Sequence, residues 1–295
     1  THENAGYFDV GPIDVGENAR RDMVLTLEDM GFVVEASHHD VAPAQHEISF
    51  RFDEAMATAD NIMTFKMAIK TIARRHGLHA TFMPKPKSGM NGSGMHINMS
   101  LLRGEKNLFA DEQDALGLSE DAYCFLGGIM RHIRSMTAVT NPIVNSYKRL
   151  VPGYGAPVDI AWSVANRSPL IRIPAFGGDG ARMELRSPDP TANPYLALAA
   201  ILRAGLDGIR KRISPPLSVD CNIFKLSADE RQARGIEELP GTLMEAVSSM
   251  EKDAFMRETL GDHIFEKYIT LKKEEWNRYR RQVTDWEISE YLNKF

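Results

Sequence analysis

In Met95-His96-Ile97-Asn98-Met99-Ser100, apolar and polar residues alternate without a break. A strand sends successive side chains to opposite faces, so Met95, Ile97 and Met99 pack one way while His96, Asn98 and Ser100 line the other. The pattern recurs. Arg182, Glu184 and Arg186 share a face opposite Met183 and Leu185, and Glu47, Ser49 and Arg51 stand opposite Ile48, Phe50 and Phe52. Arg172 lies between Ile171 and Ile173 in the same manner. Any one of these segments satisfies the requirements of a solvated antiparallel strand. Together they do not look like ordinary surface, because the polar positions are nearly all Arg, Glu, His and Asn rather than a mixture with Lys and Thr. Guanidinium forks grip phosphoryl oxygens, and carboxylates hold hard divalent cations. A single imidazole among carboxylates favours Mg²⁺ or Mn²⁺ over a zinc cage.

Helical periodicity accounts for the segments between. The spacing predicts a helix over 18–31, with Met23, Val24, Leu27 and Met30 on one stripe, and a second over 52–76, with Ile62, Met63, Phe65, Ile69 and Ile72 inward. A third begins near Ser119. Asn193 as N-cap and Pro194 at the first helical position open a fourth, which runs to Arg212. Thr242 and Glu245 have the spacing of a capping box. Strands are expected over 45–52, 78–82, 95–101, 170–174 and 181–186, joined in one sheet. The result is an α+β or mixed α/β arrangement, with the helices after Thr191 on one face. The length of 295 residues allows one large domain or two ordinary ones, and no repeat or low-complexity linker marks a boundary.

Composition narrows the partners. Thirty-five basic residues against 40 acidic ones give a net charge of −5 with no long run of either sign, which argues against nucleic acid and anionic membrane. Cys124 and Cys221 lack the spacing of a zinc site or disulfide framework, so a reducing cytoplasm is the expected setting. The most apolar run, 195–206, is too short to span a bilayer. Two glycine-rich loops, 89–94 and 177–180, lead into polar-faced strands, but neither has the P-loop or dinucleotide-binding spacing. HExxH and GxSxG are also missing. The chain begins at Thr1 rather than Met, and upstream sequence is therefore expected.

Lys85-Pro86, followed by Asn91-Gly92-Ser93-Gly94-Met95-His96 and Ser100, resembles the ATP-binding signature of type I glutamine synthetases. The blocks Asn145 to Tyr154, Asn166 to Arg172 and Glu184 to Ser187 are similar to further blocks of that family in the same order, and the likeness runs from Gly6 to the C-terminus. It implies one catalytic domain over 1–295, lacking an N-terminal β-grasp domain and the first catalytic strand. The implied fold is a curved, mostly antiparallel sheet with helices packed on its outer face. The implied reaction phosphorylates glutamate on its side-chain carboxylate with ATP, after which ammonia displaces phosphate. The family works as a dodecamer on small-molecule substrates with bound Mg²⁺ or Mn²⁺.

Residue by residue, the resemblance places Asp40 and Glu47 on the ion near glutamate, and His96 and Glu184 on the ion near the nucleotide. Glu35, Asn98, Ser100, Arg172 and Arg182 match nucleotide-contacting positions. Asn91, Gly92, Arg149 and Arg186 match the glutamate pocket, and Arg167 matches the arginine on the transferred phosphoryl group. Such chemistry is mostly electrostatic positioning. Four departures stand out. No Glu-x-Glu strand precedes the first block, Asp40 replaces the usual glutamate, and Phe224 sits where adenylylated members carry tyrosine. Gly155 replaces the flap glutamate that closes the site and takes a proton from ammonium. Two rival readings are a ligase using a larger amine, as in γ-glutamyl-polyamine ligases, and a non-catalytic nucleotide-binding relative. Phosphagen kinases, which have a related fold, should lack the glycine-to-His96 block.

Overall fold

The computed structural model describes residues 3–164, 166, 168–174, 178–221, 223 and 226–295. Helix α1 spans Glu17–Asp29 and leads into the hairpin of β1 (Val34–His39) and β2 (His46–Phe50). Helix α2 (Ala55–Arg75) packs on α1, and Ala19, Met23 and Leu27 meet Ala68, Ile69, Ile72 and Ala73 in a small core. Two expected inward residues face solvent: Met30 caps the end of α1 and Met63 lies on the outer side of α2.

The segment 78–82 is not a strand. Among the described residues no strand pairs with this segment, and Leu78, Ala80 and Phe82 pack against the α1–α2 core. The expectation of one sheet is also corrected. Among the described residues, β1–β2 stands apart as a two-stranded sheet, and β4 (Leu102–Arg103) pairs only with β5 (Lys106–Asn107). The central sheet has four strands in the order β3 (Ile97–Met99), β8 (Met183–Leu185), β7 (Ile171–Arg172) and β6 (Trp162–Ser163). Its β3–β8 and β8–β7 pairs are antiparallel, whereas β7–β6 is parallel.

The main core lies under that sheet. Ile97, Leu185, Ile171 and Trp162 stand in one cross-strand row and pack against α3 (Glu120–Thr140), which is buried along most of its length. Ser119 caps α3 by accepting a hydrogen bond from the Ala122 amide. Helix α5 (Pro194–Lys211) begins with Asn193 accepting from the Tyr195 and Leu196 amides, with Pro194 behind it. Glycine sets how closely α3 and α5 pack. A Cβ on Gly128 would stand 2.2 Å from the Ala204 carbonyl oxygen, and one on Gly208 would stand 2.0 Å from that of Cys124. Helices α7 (Leu243–Glu251) and α8 (Ala254–Tyr279) cover the outer side of α3 through Val247, Met250, Met256 and Phe265. At α7 the cap differs from the expected reciprocal box: Thr242 accepts from the Glu245 amide, but the Glu245 carboxylate turns to the Gly241 amide. The remaining described helices are α4 (Ser146–Arg149), α6 (Ala228–Ala233) and α9 (Asp285–Tyr291).

Candidate functional site

Strand register assembles the polar face. Asn98 is paired with Glu184, and Glu184 with Arg172, so the three side chains form a row across β3, β8 and β7 on the side away from the core. Glu184 is the centre of the group. Its Oε2 accepts from Arg172 Nη1 at 2.9 Å, and its Oε1 accepts from Arg186 Nη1 at 2.9 Å. His96 Nδ1 lies 3.2 Å from the same Oε1. Arg182 Nε donates to Asn98 Oδ1 at 3.2 Å one step along the face.

The environment fixes the charge states. Burial opposes ionisation of Glu184, yet His96, Arg186 and Arg172 overcome it and hold the carboxyl at about 2. His96 keeps 35% of its side-chain surface open. Surrounding protein atoms nevertheless strip water from the ring, and with Arg186 and Arg149 nearby they pull it below the ordinary histidine range despite the Glu184 carboxylate. The pair is therefore an ionised carboxylate beside an imidazole biased towards its neutral form. These are the states in which both groups bind a cation.

A second group adjoins the first. Short helix α4 ends on Arg149, whose side chain is buried and donates to the Ser187 carbonyl at 2.6 Å and the Arg186 carbonyl at 3.1 Å. Desolvation lowers Arg149 to about 10, and it remains a cation at neutral pH. The glycine loop runs over this arginine. A Cβ on Gly92 would come within 3.2 Å of Arg149 Cγ and 2.2 Å of the Pro84 carbonyl oxygen, and one on Gly94 would stand 2.5 Å from Arg149 Nη2. Gly155, in the left-handed region at φ +74°, brings its Cβ position to 3.4 Å from Asn91 Nδ2. Asn91, Gly92, Arg149, Arg186 and Gly155 are thus neighbours through this loop.

The other expected residues are spread more widely. Asp40 and Glu47 belong to the β1–β2 hairpin, whose turn is tied to the glycine loop by Gln45 Nε2 donating to the Gly92 carbonyl at 2.9 Å. Asp40 Oδ1 accepts from the Val41 amide. Glu47 is exposed and lies cross-strand from His38, with His38 Nε2 3.7 Å from its carboxylate and, among the described residues, no hydrogen-bond partner for either buried ring nitrogen of His38. Glu35 is exposed on β1, and Ser100 follows β3. Arg167 and Phe224 lie outside the described residues. Sequence reading assigned no individual role to His38 or Gln45, and it placed Lys85 only within the block that resembles the ATP-binding signature.

A different set of ligand-type groups converges at the hairpin base, where atoms of Glu3, His39 and His46 come within 4.8 Å of one another. Hydrogen bonds already account for it. His39 joins the Asp40 carbonyl at 2.6 Å and Glu3 at 3.0 Å, and against the pull of burial these oxygens raise its pKa. Arg20 Nη1, held by Asp14, reaches His46 Nδ1 at 2.8 Å. A guanidinium only donates, so His46 Nδ1 accepts and its proton sits on Nε2, leaving no lone pair there for a metal. Desolvation and the Arg20 charge lower His46 to about 4, consistent with that neutral ring.

A family described as "Glutamine synthetase, catalytic domain" matches residues 1–291. The glutamine synthetase of Clostridium saccharobutylicum is 57% identical over 295 residues, covering all of this chain and 67% of the relative. That of Staphylococcus aureus is 54% identical over 294 residues, covering 100% of this chain and 66% of its own length. Among solved structures, GmaS in complex with ADP superposes with a TM-score of 0.89 at 36% identity, over 99% of this chain and 67% of that one. Plasmodium falciparum glutamine synthetase, solved by cryo-EM, gives 0.88 at 29% identity, over 98% and 64%. The chain spans about two thirds of the length of these relatives. Sequence and fold agree along the whole chain: it belongs to the glutamine synthetase catalytic-domain family.

Proposed function

We propose that this chain carries the catalytic face of a glutamate–ammonia ligase that works through a γ-glutamyl phosphate. The observation that supports this reading most is the Glu184-centred row, which sets guanidinium groups of Arg172 and Arg186 around one ionised carboxylate next to His96. Such a face can bind a triphosphate while matching its charge. In the proposed reaction a side-chain carboxylate oxygen of glutamate attacks the γ-phosphorus and ADP leaves. Ammonia then attacks the γ-carbonyl carbon, gives up a proton, and expels phosphate.

Asn98, Ser100, Arg172, Arg182 and Glu35 are assigned to the nucleotide, and Arg167 to the phosphoryl group in transfer. Asn91, Gly92, Arg149 and Arg186 are assigned to glutamate. The oxygen-rich donors with one nitrogen suit Mg²⁺ or Mn²⁺, with His96 and Glu184 holding one ion and Asp40 and Glu47 another. Bound there, a divalent cation would neutralise charge on the phosphoryl oxygens. Residues 1–295 are read as one catalytic domain of a cytoplasmic homo-oligomer. Among the described residues no helix is long and apolar enough to cross a membrane. Phosphate release from ATP and glutamate, measured with and without ammonium in the intact oligomer, tests the reading. Release that requires both glutamate and a divalent ion supports it, and ATP binding without such release contradicts it.

Gly155 favours a second reading, in which the acceptor is an alkylamine. The position is exposed and, lacking a side chain, offers no carboxylate to attract ammonium or take its proton. Gly155→Glu has room beside Asn91, but φ +74° strains any L-residue by about 1–2 kcal/mol. The variant is expected to melt slightly earlier, yet to raise ammonium-dependent turnover on the order of tenfold and suppress uncoupled phosphate release. Comparing phosphate release with ammonium and methylamine on both proteins checks this. Tight coupling to ammonium that is unchanged by the substitution would remove position 155 from acceptor choice.

A further inference from the structure

Lys85 is assigned no substrate or metal above, yet it touches three segments on the glutamate side of the site. Its side chain is buried. The ammonium sits 3.6 Å from the centre of the Tyr154 ring and donates to the Met90 carbonyl. Its backbone is held as firmly: the Lys85 amide donates to Asn145 Oδ1 at 2.8 Å, and Asn145 Nδ2 donates back to the Lys85 carbonyl at 3.0 Å. Asn145 is the N-cap residue of α4, the helix that ends on Arg149. Met90 belongs to the glycine loop and precedes Asn91, while Tyr154 precedes Gly155. One lysine thus joins the two loops that carry Asn91 and Gly155 and is itself fastened to the residue that opens the helix carrying Arg149.

Burying an ammonium is unfavourable unless its charge is compensated. Among the described residues no carboxylate forms an ion pair with Lys85, and burial pulls its pKa below the ordinary lysine range. A methionine would fill the same space without that penalty. What the charge adds is a directional bond to the Met90 carbonyl and attraction to the face of the Tyr154 ring, and both contacts cross between loops.

We propose that the Lys85 ammonium is a positioning residue that locks the 89–94 loop against the 151–157 segment and so sets the shape of the glutamate pocket. This rests on reading that pocket as the glutamate site. The test uses Lys85→Met, Lys85→Arg, Tyr154→Leu and Tyr154→Phe in the intact oligomer, with two readouts. Amide exchange in 89–94 and 151–157, measured without any ligand, reads the lock itself. Kinetic constants for glutamate and ATP read its effect on the pocket.

Lys85→Met is expected to speed exchange in both loops at least tenfold without changing exchange in α3. It should raise KM for glutamate about tenfold and leave that for ATP within twofold. Lys85→Arg, which keeps a cation and donors, should restore most of both, and Tyr154→Phe, which keeps the ring, should behave as the parent. If Lys85→Met does not fold, Tyr154→Leu decides the same question by removing the ring and keeping the lysine. Unchanged loop exchange overturns the lock. Faster exchange with an unchanged glutamate KM overturns the positioning role and leaves a structural tie. If the parent shows no glutamate-dependent phosphate release, the functional reading has failed instead, and the exchange data still decide whether the lock exists.

Discussion

Glu184→Gln is expected to reduce stability by about 3 kcal/mol and glutamate-dependent phosphate release on the order of 10²- to 10³-fold. The carboxylate is buried between Arg172 and Arg186, whose side chains are 29% and 10% exposed. Glutamine keeps the shape and one oxygen acceptor but removes the charge, so Arg172 and Arg186 lose the carboxylate that lies between them. Removing one partner of a buried pair is strongly destabilising because the remaining charge stays desolvated. The activity loss has a separate origin. Without the charge His96 loses its carboxylate neighbour, and the row no longer balances cations against anions at the proposed phosphoryl site. Urea midpoints and phosphate release, both measured well below the melting temperature, check the two effects. Wild-type stability together with a wild-type rate would contradict the placement of Glu184 at the centre.

Gly92→Ala is expected to raise KM for glutamate or lower turnover on the order of 100-fold, with about 1–3 kcal/mol lost in stability. The added methyl group would lie 2.2 Å from the Pro84 carbonyl oxygen, an atom of the backbone that already accepts from the Ser93 amide. It cannot be accommodated by turning a side chain. The loop must move, and its movement would disturb the Gln45 bond to the Gly92 carbonyl as well as Arg149 beneath it. By contrast Gly89, at the start of the same loop, has open space around its Cβ position, although its φ of +73° disfavours other residues. Gly89→Ala should therefore lose stability through backbone strain without the defect in glutamate use. Equal kinetic defects at both positions would show that loop stiffness, rather than the clash, decides the result.

Much of this site was legible in the sequence because strand alternation is a local rule. His96, Asn98, Glu184, Arg172 and Arg186 were assigned to polar faces from spacing alone, and the structure places Asn98, Glu184 and Arg172 in one row. Register across strands was not legible, since hydrogen-bond pairing depends on residues more than 80 positions apart in the chain, as with Asn98 and Glu184. For the same reason one sheet was expected where the hairpin and the central sheet are separate. Segment 78–82 alternates like a strand, but among the described residues no strand pairs with it, and its apolar residues pack on α1 and α2. Helix starts marked by a capping side chain are legible locally, whereas α2, expected from Phe52, begins at Ala55 behind Glu54, which makes no side-chain cap. Ser119, Asn193 and Thr242 each cap through their own side chain, a signal contained within four residues. Contacts made by flexible polar side chains, such as Gln45 on Gly92 or Lys85 on Tyr154, leave no periodic trace and appeared only in the fold.

The polar face is proposed to transfer a phosphoryl group to the side-chain carboxylate of glutamate. The most direct measurement supplies the intact oligomer with glutamate carrying ¹⁸O in its γ-carboxylate, together with ATP, Mg²⁺ and ammonium or an alkylamine, and analyses the released phosphate by mass. If a carboxylate oxygen attacks the γ-phosphorus, that oxygen leaves with phosphate when the amine takes its place on the carbonyl carbon. One labelled oxygen is expected in each phosphate formed. Unlabelled phosphate, released at the same rate whether or not glutamate is present, would mean that water attacks ATP directly and would contradict the account.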